Sequence, residues 1–321
     1  MSKIFNVLII GAGNIGALYD NPQSNNILTH AHAFKKHIGF KLLGFVDVNL
    51  QKAQKAAVLW DAEAFSTLEE AFLKRDIDVV VVAVSDEYHY SVLKELSSHC
   101  IKLVYTEKPL TKTVVEGSEI IDLFKKEKIP VIINYSRRFV PEFLSLKTQI
   151  KSNSFGKFLN GSGYYGKGTL HNGSHMVDLL LFLFENIKKT KTVSQIFDHY
   201  IDDPSCSAIL TTESGGHFFM QAIDCRHYSV FELDLFFEKK RVRILESGFK
   251  IEYFDVSDNL IYSGYHDLKK VKSIDTNLIN AISYASNSIY KFLTTGLNSP
   301  SLVDDSLLAQ RICSAITDES I

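Results

Sequence analysis

A run of mostly apolar residues from Ile4 to Ile10 leads directly into Gly11-Ala12-Gly13-Asn14-Ile15-Gly16, and no other segment restricts the fold as much. A G-x-G-x-x-G carries physical meaning where a strand enters it and a helix leaves it. In that context Gly11 permits a tight turn, Gly13 lets the backbone approach a pyrophosphate, and Gly16 lets helix and sheet pack closely. Backbone N–H groups at the helix start then face the diphosphate. The next strand, Lys41 to Val46, ends at Asp47, where a carboxylate accepts hydrogen bonds from an adenosine ribose diol and repels a 2′-phosphate. Val48 and Asn49 offer no cation for such a phosphate, so NAD is the expected cofactor and NADP the less favoured one. The gap from Gly16 to Asp47 exceeds the usual spacing of about 20 residues. The turn-forming stretch Asp20-Asn21-Pro22-Gln23-Ser24-Asn25-Asn26 explains the excess as an inserted loop, after which a helix restarts with Thr29 as its cap.

The pattern continues as short β-branched runs alternating with amphipathic segments, the rhythm of parallel strands joined by crossover helices. Strands are expected at Ile4–Ile10, Lys41–Val46, Val79–Val84, Lys102–Tyr105 and Val131–Ile133, with helices at Leu50–Leu59, Thr67–Lys74, Tyr88–Ser97 and Val114–Lys126. The unbroken Val79-Val80-Val81-Val82 fits a sheet covered on both faces. After Asn134 longer runs rich in Phe, Tyr, Ile and Thr predict a mainly antiparallel sheet: Phe158–Tyr165, Thr192–Tyr200, Ser207–Thr212, His217–Ile223, Ser229–Phe237 and Val242–Leu245. A helix from about Ser174 to Glu185 interrupts them, Lys188-Lys189-Thr190-Lys191 reads as a solvated loop, and closing helices are expected at about 277–293 and 303–316. The fold class is thus α/β plus α+β. Residues 1–134 form a doubly wound parallel Rossmann sheet, and 135–321 an open, mainly antiparallel sheet domain. A length of 321 residues suits roughly two domains.

Charge and cysteine usage narrow the function classes. With 35 Lys and Arg against 37 Asp and Glu, the formal charge of -2 provides no field that selects nucleic acid or an anionic membrane, so a small molecule is the expected partner. Cys100, Cys206, Cys225 and Cys313 are scattered without a Cys-x-x-Cys pair, which speaks against a disulfide framework and for a reducing cytoplasm. The first apolar run is too short for a signal peptide, and Met176 to Phe184 falls well short of a bilayer span of about 20 residues, so a soluble protein is expected.

The chemistry gathers at Thr106-Glu107-Lys108-Pro109, after the fourth expected strand, where a ligand of an open α/β sheet meets the chain. Proline fixes its own φ and restricts the residue before it, so Lys108 is aimed. A surface turn with a Glu–Lys pair is the plainer alternative. His30 and His89, near the sheet edge, are further site candidates, and Asp86 is expected to cap the helix that follows it.

The glycine motif and Glu107-Lys108-Pro109 together resemble the Gfo/Idh/MocA family, the glucose-fructose oxidoreductase and inositol dehydrogenase group. Thr29-His30-Ala31, the segment Ser85 to His89, Asn134-Tyr135-Ser136-Arg137-Arg138-Phe139 and the stretch Gly296-Leu297-Asn298-Ser299-Pro300 match it in the same order along the chain. The resemblance implies a catalytic Lys108, with cofactor contacts from Gly11, Ala12, Gly13, Asn14, Ile15, Gly16, Asp47, Val84, Ser85, His89, Glu107 and Lys108. It also implies a histidine at the start of a second-domain helix, matched by His175. Four residues before that histidine the family has Asp, where this chain has His171; Asn172 is a candidate for the missing contact. Tyr135, Arg138 and Asp178 are further candidates for the substrate side, and Arg138 has salt-bridging as its alternative.

Oxidising a secondary alcohol requires a base for the hydroxyl proton and a group that stabilises the developing oxyanion. An imidazole, ordinarily titrating near 6.5, suits the first task, and a lysine ammonium the second. His175 is therefore expected to be the acid/base and Lys108 its charge-stabilising partner, with the reverse division open. The expected substrate is a sugar, cyclitol or nucleotide-linked sugar. A homodimer or homotetramer through the second sheet follows from the resemblance. Two other readings stand beside this one: a dinucleotide-binding sensor or scaffold without turnover, and, more weakly, a metal hydrolase using His171 and His175. Metal is not expected, because no third ligand accompanies that pair.

Overall fold

The computed structural model describes residues 3–184 and 186–318; Glu185, the expected end of a helix, lies outside them, as do residues 1–2 and 319–321. The chain divides into two compact units, one built from 3–139 with 279–307 and the other from 140–278 with 308–318.

In the first unit β1 (Phe5–Ile10), β2 (Phe40–Val46), β3 (Glu63–Phe65), β4 (Val79–Val82), β5 (Leu103–Thr106) and β6 (Val131–Ile133) form a sheet in the order β3-β2-β1-β4-β5-β6. Every neighbouring pair is parallel. The helices are α1 (His30–Lys36), α2 (Leu50–Trp60), α3 (Leu68–Lys74), α4 (Asp86–Leu96) and α5 (Val114–Lys126). The valine run explains itself here. Val79 and Val81 join Val7, Ile9, Phe34, Phe45 and Trp60 on one face. Val80 and Val82 join Leu8, Ile10, Leu93, Val104, Ile120 and Phe124 on the other. Successive side chains of a strand point to opposite faces, so a sheet packed on both sides has no polar position to spare.

Local chemistry places the helix ends. Thr113 and Glu116 close a reciprocal capping box at α5, and Asn49 accepts from the N–H groups of Gln51 and Lys52 at α2. At α4 the cap is Ser85, and Asp86, expected to cap, is the first helical residue. The three-residue β3 was missed because nothing in Glu63-Ala64-Phe65 distinguishes it from a turn; it gains its pairing from Gly44 to Val46.

The second unit opens with α6 (Pro141–Lys151), followed by β7 (Phe158–Tyr165), α7 (Ser174–Phe184), β8 (Ile187–Ile196), β9 (Ser205–Thr212), β10 (His217–Ala222), β11 (Glu232–Phe237), β12 (Lys240–Leu245), β13 (Lys250–Asp258) and β14 (His266–Asp275). The sheet runs β14-β13-β12-β11-β7-β10-β9-β8 and is antiparallel except for β7 beside β10. Two strands beyond those expected, β13 and β14, carry mixed polar and apolar residues that hide their alternation. The lysines 188, 189 and 191 lie in edge strand β8 rather than in a loop, paired to β9 and turned mostly to solvent.

The closing helices are α8 (Ala281–Thr295) and α9 (Val303–Asp318). The expected boundary near Asn134 falls after Phe139, and 279–307 returns to the first unit instead of completing the second. The cause is apolar: Ala285 and Ile289 are fully buried against the cluster that holds Val79 and Val81.

Candidate active site

The open end of the parallel sheet is assembled by backbone bonds that pass from strand to strand. Gly11 N–H donates to Val46 O, Ala83 N–H to Ile10 O, Glu107 N–H to Val82 O and Asn134 N–H to Thr106 O, all at 2.8 to 2.9 Å. The loops after β1, β4, β5 and β6 are thereby fixed side by side at the point where strand order reverses, which is where open α/β sheets bind ligands.

The glycine loop is the tightest part. Gly11 has φ +95°, and a Cβ there would lie 2.4 Å from Ala83 O, while a Cβ on Gly16 would lie 2.1 Å from Gly11 O. Glycine is required at both positions by the protein itself. At Gly13 a Cβ would meet no protein atom within 4 Å, so neither packing nor backbone demands glycine there. A smooth, half-buried backbone facing outward is what a diphosphate needs, and the loop fits a dinucleotide on that ground. Asn14 and Ile15 continue into a one-turn π-helix, Asn14–Leu18.

Asp47 reaches back to this loop. Its Oδ2 accepts from Ala12 N–H and its Oδ1 from Asn49 N–H, each at 2.9 Å, which orients the carboxylate at the tip of β2 and leaves lone pairs on both oxygens for ribose hydroxyls.

The inserted loop is present and is closed by a buried carboxylate that sequence reasoning had read only as part of a turn. Asp20 Oδ2 accepts from Leu28 N–H at 2.6 Å and lies 2.8 Å from His32 Nδ1, and its Oδ1 accepts from Thr29 Oγ1 at 2.5 Å. Thr29 caps α1 as expected, accepting from His32 N–H.

Lys108 follows β5 and is half-buried, joined to Pro109 by a cis peptide bond. Oε1 of Glu107 lies 2.8 Å from His30 Nε2 and accepts from Asn134 Nδ2 at 2.6 Å. Burial pushes the Glu107 carboxyl up, but the His30 hydrogen bond and charge, the Asn134 amide and the nearby Lys108 ammonium outweigh it and hold the group below the usual carboxylate range. His89 is fully buried, with Nδ1 2.7 Å from Pro109 O and Nε2 3.2 Å from Val84 O. It braces the loops around Lys108. Val84 is half-buried and Ser85 exposed at the head of α4. Tyr135 is buried, and Arg138 donates from Nη1 to Pro300 O at 3.0 Å and to Asp305 at 2.8 Å, the salt-bridging alternative.

In the second unit Thr169–Gly173 forms a π-turn that leads straight into α7. Asp203 accepts from the N–H groups of Leu170 and His171, both at 2.8 Å, and Asn172 Nδ2 donates to Gly166 O at 2.8 Å. Burial raises the Asp203 carboxyl above its ordinary value despite those backbone donors. Asp198 anchors the same segment through Lys167 N–H, Cys225 N–H and Ser205 Oγ. In the sequence Asp198 falls within the expected strand Thr192–Tyr200 and Asp203 carries no assigned role. His171 lies against Tyr200 with ring centroids 4.9 Å apart. His175 is half-buried in the first turn of α7, and Asp178, one turn on, is 2% exposed. Among the described residues no group of three or more His, Cys, Asp or Glu is arranged to hold a metal, and no helix is long and apolar enough to cross a membrane.

Residues 5–135 match the Gfo/Idh/MocA family, an oxidoreductase family with an NAD-binding Rossmann fold. An inositol 2-dehydrogenase of Corynebacterium glutamicum is 29% identical over 161 residues, a match spanning 50% of this chain and 44% of that relative, so less than half of the relative's length is represented. A putative NADPH-dependent oxidoreductase of Desulfitobacterium hafniense superposes with a TM-score of 0.82 at 15% identity, covering 98% of this chain and 95% of that one. An oxidoreductase of Agrobacterium radiobacter, in complex with NAD+, L-tartaric acid and magnesium, gives 0.78 at 12%, covering 98% and 97%. At these identities the two structures establish a shared fold.

The lowered Glu107 carboxyl makes a stability prediction. A group with a depressed folded-state pKa stabilises the fold above its unfolded value, ordinarily 4.5, and loses that contribution as pH falls through the depressed value. In urea titrations the unfolding free-energy difference between the native protein and Glu107→Gln stays constant above about pH 5 and shrinks as the solution is acidified below 4.5. A difference independent of pH down to the acid transition contradicts the assignment.

Proposed function

We propose, on the premise that residues 5–135 belong to the Gfo/Idh/MocA oxidoreductase family, that this chain is an NAD-dependent dehydrogenase acting on a secondary alcohol or ketone of a sugar, cyclitol or nucleotide-linked sugar. The observation that carries the reading is the placement of Lys108 on a loop fixed from both sides, at the sheet end where the glycine loop and Asp47 also lie. Bound nicotinamide supplies the hydride acceptor or donor. The chain must then supply a proton acceptor for the substrate hydroxyl and a positive group for the developing oxyanion. His175 is assigned the first task and Lys108 the second. Asp178, three residues on in α7, is assigned to orienting the His175 ring. Asn172, His171 and Tyr135 are assigned to substrate positioning, Arg138 being engaged by Pro300 and Asp305 instead, and the inositol dehydrogenase relative supports a polyol as substrate class.

NAD is favoured over NADP because the Asp47 carboxylate, pinned at the tip of β2 and followed by exposed Val48 and Asn49, would repel a 2′-phosphate with no cation beside it to offset the charge. Association through the second sheet is part of the same reading, supported by half-exposed Tyr164 and Phe219 on its outer face and by Arg241 lying 5.0 and 5.1 Å from the Phe236 and Phe254 rings. Work in the cytoplasm is supported by four free thiols.

Three measurements test the reading. On a panel of polyols, sugars and sugar nucleotides followed by reduced-nicotinamide absorbance, Lys108→Ala and His175→Ala each lower kcat/KM by about 10²- to 10⁴-fold; undiminished turnover in either removes that residue's role. NAD raises the thermal midpoint of the native protein and NADP does not, a distinction that Asp47→Ser narrows; equal shifts in the native protein contradict the Asp47 argument. Light scattering gives a mass of two or four 36.2 kDa chains, and a single-chain mass at micromolar concentration excludes the assembly.

A further inference from the structure

Lys108 stands between two residues that are each tied to a fully buried histidine. Glu107, before it, meets His30 at 2.8 Å, and Pro109, after it, meets His89 at 2.7 Å. The two histidines differ in one respect. Both ring nitrogens of His89 face backbone carbonyls, whereas Nδ1 of His30 is buried with no hydrogen-bond partner among the described residues. An imidazole nitrogen buried in that way costs free energy that a leucine of similar bulk avoids. His30 otherwise packs edge-on against Tyr105, with ring centroids 5.2 Å apart, a contact that a hydrocarbon or phenyl side chain makes equally well. Its hydrogen bond to Glu107 is what packing does not account for.

That bond has a specific effect. Glu107 is ionised and can only accept, so His30 Nε2 carries the proton and donates. With Asn134 Nδ2 donating to the same oxygen at 2.6 Å, both lone pairs of Oε1 are engaged and the carboxylate is held in one orientation. The titratable or charged groups facing it are His30 from α1, the Tyr105 hydroxyl of β5 and the Lys108 ammonium next in the chain; Asn134 faces it from the end of β6. A negative charge beside an ammonium governs how readily that ammonium gives up its proton, and the effect varies steeply with separation.

We propose that His30 is a positioning residue for Lys108: by holding the Glu107 carboxylate, together with Asn134, it fixes the distance between that charge and the Lys108 amine and so sets the amine's reactivity. The inference rests on the reading of Lys108 as the charge-stabilising group, but its test needs no turnover.

The amine is labelled with a trace of acetic anhydride between pH 7 and 10, and acetylation of the Lys108 peptide is read by mass spectrometry against exposed lysines of the same chain. Glu107→Gln raises Lys108 labelling at pH 8. His30→Leu releases the carboxylate to close on the ammonium and lowers labelling threefold or more. His30→Gln, which returns an amide donor near the Nε2 position, restores the native rate. In the Glu107→Gln background His30→Leu has no further effect. An unchanged rate in His30→Leu, or a fall that persists in full without Glu107, overturns the proposal. Where circular dichroism shows that His30→Leu has not folded, His30→Asn, too short to reach Glu107, replaces it with the same expected fall. Absence of turnover on every alcohol tested would count against the dehydrogenase reading and leave these labelling outcomes standing.

Discussion

The structure depends first on a requirement of the parallel sheet: both faces of β1 and β4 must be covered by apolar side chains, because helices lie on each side and no face is left for water. Val79 to Val82 meet that requirement by alternating between two separate cores. Once these strands are buried, polar side chains are confined to their ends. The glycine loop, Asp47, Glu107 and Asn134 are therefore gathered at one edge because the interior excludes them, and the strand-to-strand backbone bonds lock the loops in a common register. Chemistry at this edge is a by-product of burial elsewhere.

Within that edge, carboxylates do much of the shaping. Asp20 closes the inserted loop, Asp47 ties the tip of β2 to the glycine loop, and Glu107 joins α1 to the end of β6. Asp203 and Asp198 do the same for the turn that precedes α7 in the second unit. Each accepts from at least one backbone or buried donor; at Glu107 and Asp198 those bonds outweigh burial and favour the charged form, whereas at Asp203 burial prevails. A carboxylate used in this way fixes loops that would otherwise have no apolar reason to hold their shape.

Periodicity made the first sheet legible, since continuous valines and helical spacing are strong signals over several residues, and Val131–Ile133 and Val114–Lys126 stand at the expected bounds. The glycine motif and Thr29 were legible for the same reason: each residue type has one physical use in that setting. What sequence could not supply was partnership over distance. Nothing in Asp20 announces His32, and nothing in Arg138 announces Asp305. The return of 279–307 to the first unit was equally hidden, because an amphipathic helix shows that it has an apolar face but not what that face covers. Strand β14 was obscured because its lysines and acids lie at a sheet margin exposed almost throughout, and β13 because only Ile251 and Tyr253 of its nine residues are buried.

Those margins have a consequence of their own. The eight-stranded sheet is open, and its two outermost strands carry Lys188, Lys189 and Lys191 at one border and Lys269, Lys270 and Lys272 at the other. Unpaired strand borders invite further strands, and a border dense in like charge refuses its own kind. Copies of this chain approaching border to border would bring lysine against lysine whichever borders met. Endless in-line growth of the sheet is thereby discouraged, and a protein with long uncovered strands keeps its sheet finite.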